Sequence, residues 1–325
     1  MQNNLTERER FIQTIKRQPV GGRVPTFELV FYLTMESIGK VHPTHRNFTQ
    51  WAQMSESEKK AQIADSADCY VSIAEKYHHS AIFVHPNPWD YPNTARLLEA
   101  IRERSGSQQY CLMLAGDPTF AMPNGSNMMA FTERMYEDAD GLKKEAETSL
   151  RNFTEMADFY TKYPGLLDGF LLCSDYCFNT NPFFTGDMFD EFIGPYLQRI
   201  ITEYHDRGYI AIKHTDGNIM PIAEELVQCG PDGLHSLDPQ GGVSLTEMKK
   251  RFGHRVALCG NVNCGLLQTG TEEEAVADVR RSLREGMADG GTGYVFCTSN
   301  CAYTGLPLER YELMNRIWWE EGLLP

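Results

Sequence analysis

The stretch YIAIKHTDGNIMP, residues 209–221, climbs through an apolar run to a lysine and then breaks into His214, Thr215, Asp216, Gly217 and Asn218. A continuous apolar run, rather than an alternating one, suits a strand buried on both faces, as in a parallel sheet. The Asp-Gly pair fits a tight turn. An imidazole, a carboxylate and an amide at the end of such a strand also fit the rim of a catalytic site. What surrounds the stretch decides between the two.

The same kind of run recurs on both sides of it: VPTFEL (24–29), AIFVHPN (81–87), YCLMLAGDPT (110–119), GFLLCSDY (169–176), GLHSLDP (233–239), VALCGNVN (256–263) and GYVFCTSN (293–300). Helical patterns lie between them at 55–77, 138–162 and 188–208, where Pro195 demands a kink or a fresh start, and a last one runs from 308 to 319. Thr6 with Glu9 and Thr271 with Glu274 have the spacing of capping boxes. Eight strand candidates alternating with helices predict an α/β chain folded as a (β/α)8 TIM barrel. No linker or shift of composition divides the chain, so residues 1–325 are expected to form a single domain, with 1–20 as an N-terminal helix packed on the barrel. An open doubly wound sheet is the competitor, weakened because no GxGxxG follows the first strand.

Composition narrows the function classes. A formal net charge of −14 argues against nucleic acid as a partner, since such partners call for a basic face. No apolar run reaches 18 residues, so no membrane span is expected. The opening MQNNLTERERF lacks the apolar centre of a signal peptide, and the expected location is cytoplasmic. Nine scattered cysteines are then core residues, metal ligands or nucleophiles rather than disulfides. Cys173, Cys259 and Cys297 fall inside strand runs and read as core.

In a barrel of this type the active site lies at the C-terminal ends of the strands. Read in order, those ends are Glu28, His85 and Asn87, Asp117, Asp175 with Tyr176, then His214, Asp216 and Asn218, Asp238, Asn261 and Asn263, and finally Asn300 with Cys301. Turn-forming preference accounts for Asp117-Pro118 and Asp238-Pro239. It accounts less well for a glutamate, a histidine and a cysteine on one rim. His214, Asp216 and Cys301 offer the nitrogen, oxygen and sulfur donors of a three-ligand catalytic zinc site. The bland alternative is a hydrogen-bonded His–Asp pair in a turn beside an inert cysteine.

Residues 165–325 resemble the uroporphyrinogen decarboxylase superfamily, through DMFDEFIGPYLQRIITEYHDRGYIAIKHTDGNIMPIAEELVQCGPDGLHSLDP, LCGNVNCGLLQTGTEEEAVADVRRSLREG and GYVFCTSNCAYTGLPLERYELM. The resemblance implies a (β/α)8 barrel. True decarboxylases of the family carry an N-terminal Arg-Gln-Ala-Gly-Arg motif, where this chain has RVPTFELVFYL with Glu28. The family's other branch comprises zinc-dependent methyltransferases working with corrinoid proteins. Its thiol-methylating members carry His-x-Cys after the fifth strand and a second cysteine after the eighth. Here the pattern is His214-Thr215-Asp216, with Cys301 matching the second cysteine.

What the resemblance implies is methyl transfer between a methylated small molecule, such as a methoxylated compound, and the cobalt of a corrinoid (cobalamin) carried by a partner protein. Zn2+ would be held by His214 and Cys301, with Asp216 or Glu28 as the third ligand. Glu28, Asp175, Tyr176 and Asp216 would serve in catalysis, and His85, Asn87, Asn218, Asn261 and Asn263 would bind substrate. A homodimer is in keeping with the family. Two rival readings are a metal-free decarboxylase or lyase for a tetrapyrrole or another acid, and a non-catalytic barrel that holds a corrinoid or tetrapyrrole.

Overall fold

In the computed structural model, which describes residues 5–106 and 108–324, seven parallel strands form one sheet in sequential order. They are β1 (Ala81–Phe83), β2 (Cys111–Ala115), β3 (Gly169–Cys173), β4 (Ile210–Thr215), β5 (Gly233–Ser236), β6 (Ala257–Cys259) and β7 (Tyr294–Val295). Helices separate them, including Glu56–Tyr77, Ala139–Thr161, Glu272–Gly286 and Leu308–Glu321. The architecture is TIM-barrel-like.

The strands bury both faces because their two sets of alternate residues enter different cores. Ala81, Phe83, Cys111, Met113, Leu171, Ile210, Ile212, Ala257, Cys259 and Val295 pack into one interior cluster. Their neighbours Ile82, Leu112, Leu114, Phe170, Leu172, Ala211, Leu234 and Leu258 pack outward with the helices.

Eight strands were expected and seven form. The first expected strand, 24–29, is reduced to a parallel bridge between Thr26 and Phe296. Pro25 has no N–H to donate, which interrupts any ladder there. The segment still lies between the two sheet edges. The Pro25 carbonyl accepts from Phe296 N at 2.9 Å and the Thr26 carbonyl from Ser80 N at 2.6 Å.

The N-terminal helix Glu7–Ile15 crosses the N-terminal ends of the strands. Its Thr6–Glu9 capping box is formed, and Phe11 and Ile15 are fully buried in the interior cluster, with Phe11 edge-on to Phe27. Arg8 holds the helix there through Asp168, the residue before β3, whose other oxygen takes Arg102 at 2.8 Å. The Thr271–Glu274 box also forms, and the 188–208 pattern breaks at Ile193 so that Pro195 sits in the first turn of a new helix. Among the described residues no helix is long and apolar enough to cross a membrane.

Candidate functional site

The register across the sheet sets one row of inward-facing residues at the upper end of the strands. Cys173 on β3 pairs with His214 on β4, His214 with His235 on β5, and His235 with Cys259 on β6. His214 Nδ1 lies 2.8 Å from His235 Nδ1, so one ring donates and the other accepts. The opposite nitrogen, His214 Nε2, faces two carboxylates, with Asp175 Oδ1 and Asp216 Oδ1 each 3.8 Å away. One ligand atom from each of Asp175, His214 and Asp216 lies within 4.8 Å of the others.

The local chain explains this convergence. His214 has the inward parity of Ile210 and Ile212 on β4, and Asp216 continues it past the strand end. Asp216 N donates to Asp175 Oδ1 at 2.8 Å, and Tyr176 N donates to Thr215 Oγ1 at 3.0 Å, which locks the ends of β3 and β4 together. Asp216 Oδ1 meets Ser236 Oγ at 2.6 Å, and its Oδ2 accepts from Asn300 Nδ2. Burial, and then the charge of Asp175, push the Asp216 carboxyl up to about 7. Burial pushes the His214 imidazolium down to about 4, so the ring is neutral near pH 7. Among the described residues neither carboxylate has a lysine or arginine partner. Two carboxylates and a neutral imidazole, converging without a counter-charge, are the donor chemistry of a divalent cation site.

Beside the row, Lys213 is fully buried and points away from His214. Its amine donates to Asp117 Oδ2 at 2.7 Å and to the Ser174 carbonyl at 2.9 Å, and lies 4.1 Å from the Tyr176 ring centre. Thr119 Oγ1 bonds both Asp117 Oδ1 and the Tyr176 hydroxyl. Tyr176, expected in catalysis, is thus enclosed in this network, and its hydroxyl is pushed well up by burial.

Other expected site residues are scattered. Cys301 stands on the same rim, but its sulfur is not among the three converging donors; burial pushes its thiol up to about 12. Glu28 is buried against Thr298, whose hydroxyl and N–H both donate to it, and against the Tyr311 hydroxyl. His85 Nε2 faces the Leu29 carbonyl at 3.2 Å.

The asparagines are engaged by the chain itself. Asn87 donates to the carbonyls of Pro43 and Arg46. Asn218 donates to the Thr180 carbonyl. Asn261 donates to the Leu237 carbonyl and accepts from Arg281. Asn263 caps the helix Cys264–Thr269 by accepting from Leu266 N.

Two expectations need correcting. Asp117 is the counter-ion of a buried lysine, not merely a turn former, and Cys173 is exposed beside His214 rather than part of the core. Cys259 and Cys297 are fully buried, as their strand positions suggest. Missed altogether were His235 and Ser236. The alternation that places Gly233 on the inner face of β5 would also have placed His235 there.

Burial lifts the Glu28 carboxyl to about 8, against the hydrogen bonds from Thr298 and Tyr311. A carboxyl raised in the folded state favours folding below its unfolded value, and that contribution drains away as pH rises toward the folded value. The unaltered chain is therefore expected to lose stability between about pH 4.5 and 8 through this group, by on the order of a few kcal/mol. Glu28→Gln should melt close to the unaltered chain at pH 5 and above it at pH 9. Parallel melting curves across that range would dismiss the effect.

The family model for uroporphyrinogen decarboxylase matches residues 122–317, more than half of the chain and all of β3 to β7. The chain belongs to the uroporphyrinogen decarboxylase family. A search of curated proteins finds no match. Among solved structures, a methyltransferase from Methanosarcina mazei superposes with a TM-score of 0.72 at 17% identity, over 98% of this chain and 99% of that one. At that identity the likeness concerns the fold, and it extends the family's barrel through the first third of the chain, outside the matched residues. A D-psicose 3-epimerase with D-tagatose from Clostridium cellulolyticum H10 is also similar, with a TM-score of 0.47 at 7% identity over 82% of this chain and 92% of that one. As a member of the uroporphyrinogen decarboxylase family, the chain carries a His-Asp-Asp group at its barrel mouth.

Proposed function

We propose that this protein is a methyltransferase that moves a methyl group between a methylated small molecule, of the O-methyl class, and the cobalt of a corrinoid carried by a separate protein. The observation that carries the reading is the convergence of Asp175, His214 and Asp216 with no lysine or arginine partner among the described residues. The fold shared with the Methanosarcina mazei methyltransferase supports it. So does the His-Thr-Asp departure from the branch's His-x-Cys pattern, because carboxylate donors leave a zinc ion harder than thiolates do.

His214 Nε2, Asp175 and Asp216 would hold the ion. Bound there, zinc supplies stabilisation of negative charge on a leaving oxygen. The protein's own part is positional. His214 is neutral and its ring is fixed by His235; Asp216 is gripped by Ser236 and Asn300; Asp175, the most exposed of the three, would face incoming substrate. In the proposed transfer the methyl carbon–oxygen bond would break with its electron pair staying on oxygen, and the cobalt(I) of the partner's corrinoid, a co-substrate, would supply the pair for the new bond to carbon.

The test is methyl transfer from methoxylated aromatic and aliphatic donors onto free cob(I)alamin, followed by its visible spectrum, with zinc-loaded protein and with His214→Ala. Methylcobalamin formed by the first and not by the second supports the reading. A zinc-loaded protein that transfers no methyl group but releases carbon dioxide from a carboxylic acid would overturn it in favour of the decarboxylase.

A further inference from the structure

Consecutive residues of a strand point to opposite faces. At the end of β5 they do not. His235 reaches inward to His214, with the two Nδ1 atoms 2.8 Å apart, and the next residue, Ser236, sets its Oγ 2.6 Å from Asp216 Oδ1. The backbone explains how. Ser236 has φ of 85° and Leu237 φ of 50°, so two successive non-glycine residues occupy the left-handed region and break the alternation. Such conformations are sparsely populated and persist where the surrounding structure over-determines them, often at functional sites. Here the Ser236 hydroxyl also meets the Ser299 carbonyl at 2.5 Å, which ties the turn to the segment after β7.

His235 shows a second oddity. It is fully buried, and among the described residues its Nε2 has no hydrogen-bond partner; its ring lies edge-on to Phe27 with centroids 5.4 Å apart. A buried polar atom left without a partner calls for a reason. The Nδ1–Nδ1 contact supplies one. For His214 Nε2 to offer a lone pair to a metal, His214 must carry its proton on Nδ1 and donate it to His235 Nδ1. His235 must then carry its own proton on Nε2, facing the Phe27 ring. The otherwise unexplained orientation of His235 is the one that leaves His214 in the metal-binding tautomer.

We infer that the His235-Ser236 dipeptide is a positioning clamp for the Asp175–His214–Asp216 group, in which His235 fixes the tautomer of one metal ligand and Ser236 the orientation of another. The inference rests on the metal reading of the previous section. Neither residue touches the ion. The left-handed backbone at Ser236 is retained because it turns two neighbouring side chains onto two ligands of the adjacent strand.

Zinc titrations and melting curves of the full chain test this, with four variants. Ser236→Gly keeps the turn, since glycine adopts positive φ freely, and removes only the hydroxyl. It should melt no lower than the unaltered chain yet bind zinc about 10-fold to 100-fold more weakly, the range for lost outer partners of metal ligands. His235→Phe, which removes the orphan nitrogen, should show the same split. His235→Asn, whose side-chain oxygen can accept from His214 Nδ1, should recover most of the affinity. His214→Ala is the control for the parent reading. Unchanged zinc affinity in Ser236→Gly and His235→Phe, with affinity lost in His214→Ala, would overturn the clamp alone. An unaltered chain that binds no zinc, or a His214→Ala that binds as well, would overturn the metal reading and the clamp together.

Discussion

His214→Ala should abolish zinc binding, and Asp216→Ala should weaken it by more than the ~100-fold that an outer partner is worth. The expectation follows from donor count. His214 provides the single nitrogen among the three converging atoms, and a three-ligand site with an open position cannot spare one. The decisive comparison is between the remaining candidates. Asp175→Ala should weaken zinc as severely as Asp216→Ala, because the Asp175 oxygen already lies 3.8 Å from His214 Nε2. Cys301→Ser should change affinity by less than about tenfold. Its sulfur stands outside the group, and to bind it must surrender a proton that burial holds up to about 12. Zinc content after dialysis and competition with a coloured chelator would measure all four. Zinc lost in Cys301→Ser but retained in Asp175→Ala would return the site to the His, Asp and Cys set expected from the sequence.

Lys213→Met is the variant expected to damage the fold most. The amine is fully buried and neutralises Asp117, itself about 4% exposed, while tying down the Ser174 carbonyl immediately before Asp175. Methionine matches the length of the stem but leaves the Asp117 carboxylate buried without a counter-charge. Breaking a buried pair from one side costs about 3–5 kcal/mol, most of it the penalty on the partner left behind. Denaturant unfolding should show a loss of that size. Adding Asp117→Leu to Lys213→Met should return part of it, because an apolar pair of similar volume carries no buried charge. A single variant within about 1 kcal/mol of the unaltered chain would show that water or another group relieves Asp117.

The barrel was legible in the sequence because its signal is local. Apolar runs of both parities at Ile210–Ala211–Ile212 or Leu112–Met113–Leu114 mean burial on two faces, whatever the neighbours are. His214, Asp175 and Asp216 were legible as strand-end polar groups for the same reason. What was not legible depends on register between strands, which one sequence does not encode. Nothing in GFLLCSDY says that Cys173 faces His214, nor in GLHSLDP that His235 meets the same ring from the other side. The asparagines illustrate a different ambiguity. Their side chains suit ligands and turns equally, and at Asn87, Asn218 and Asn263 the backbone recruits them first. Asp117 was hidden in the same way by the proline after it, while its true partner lay 96 residues away.

The helix Glu7–Ile15 has a bearing on the order of events in the proposed reaction. With Phe11 and Ile15 fully buried in the interior cluster at the lower ends of the strands, the base of the barrel is filled by apolar side chains. A small methyl donor and a bulky carrier protein would then share one doorway. On the proposed function, the donor would have to arrive before the carrier seated itself, and its demethylated remnant would stay until the carrier lifted away. Such a vessel would enforce a queue: first in, last out.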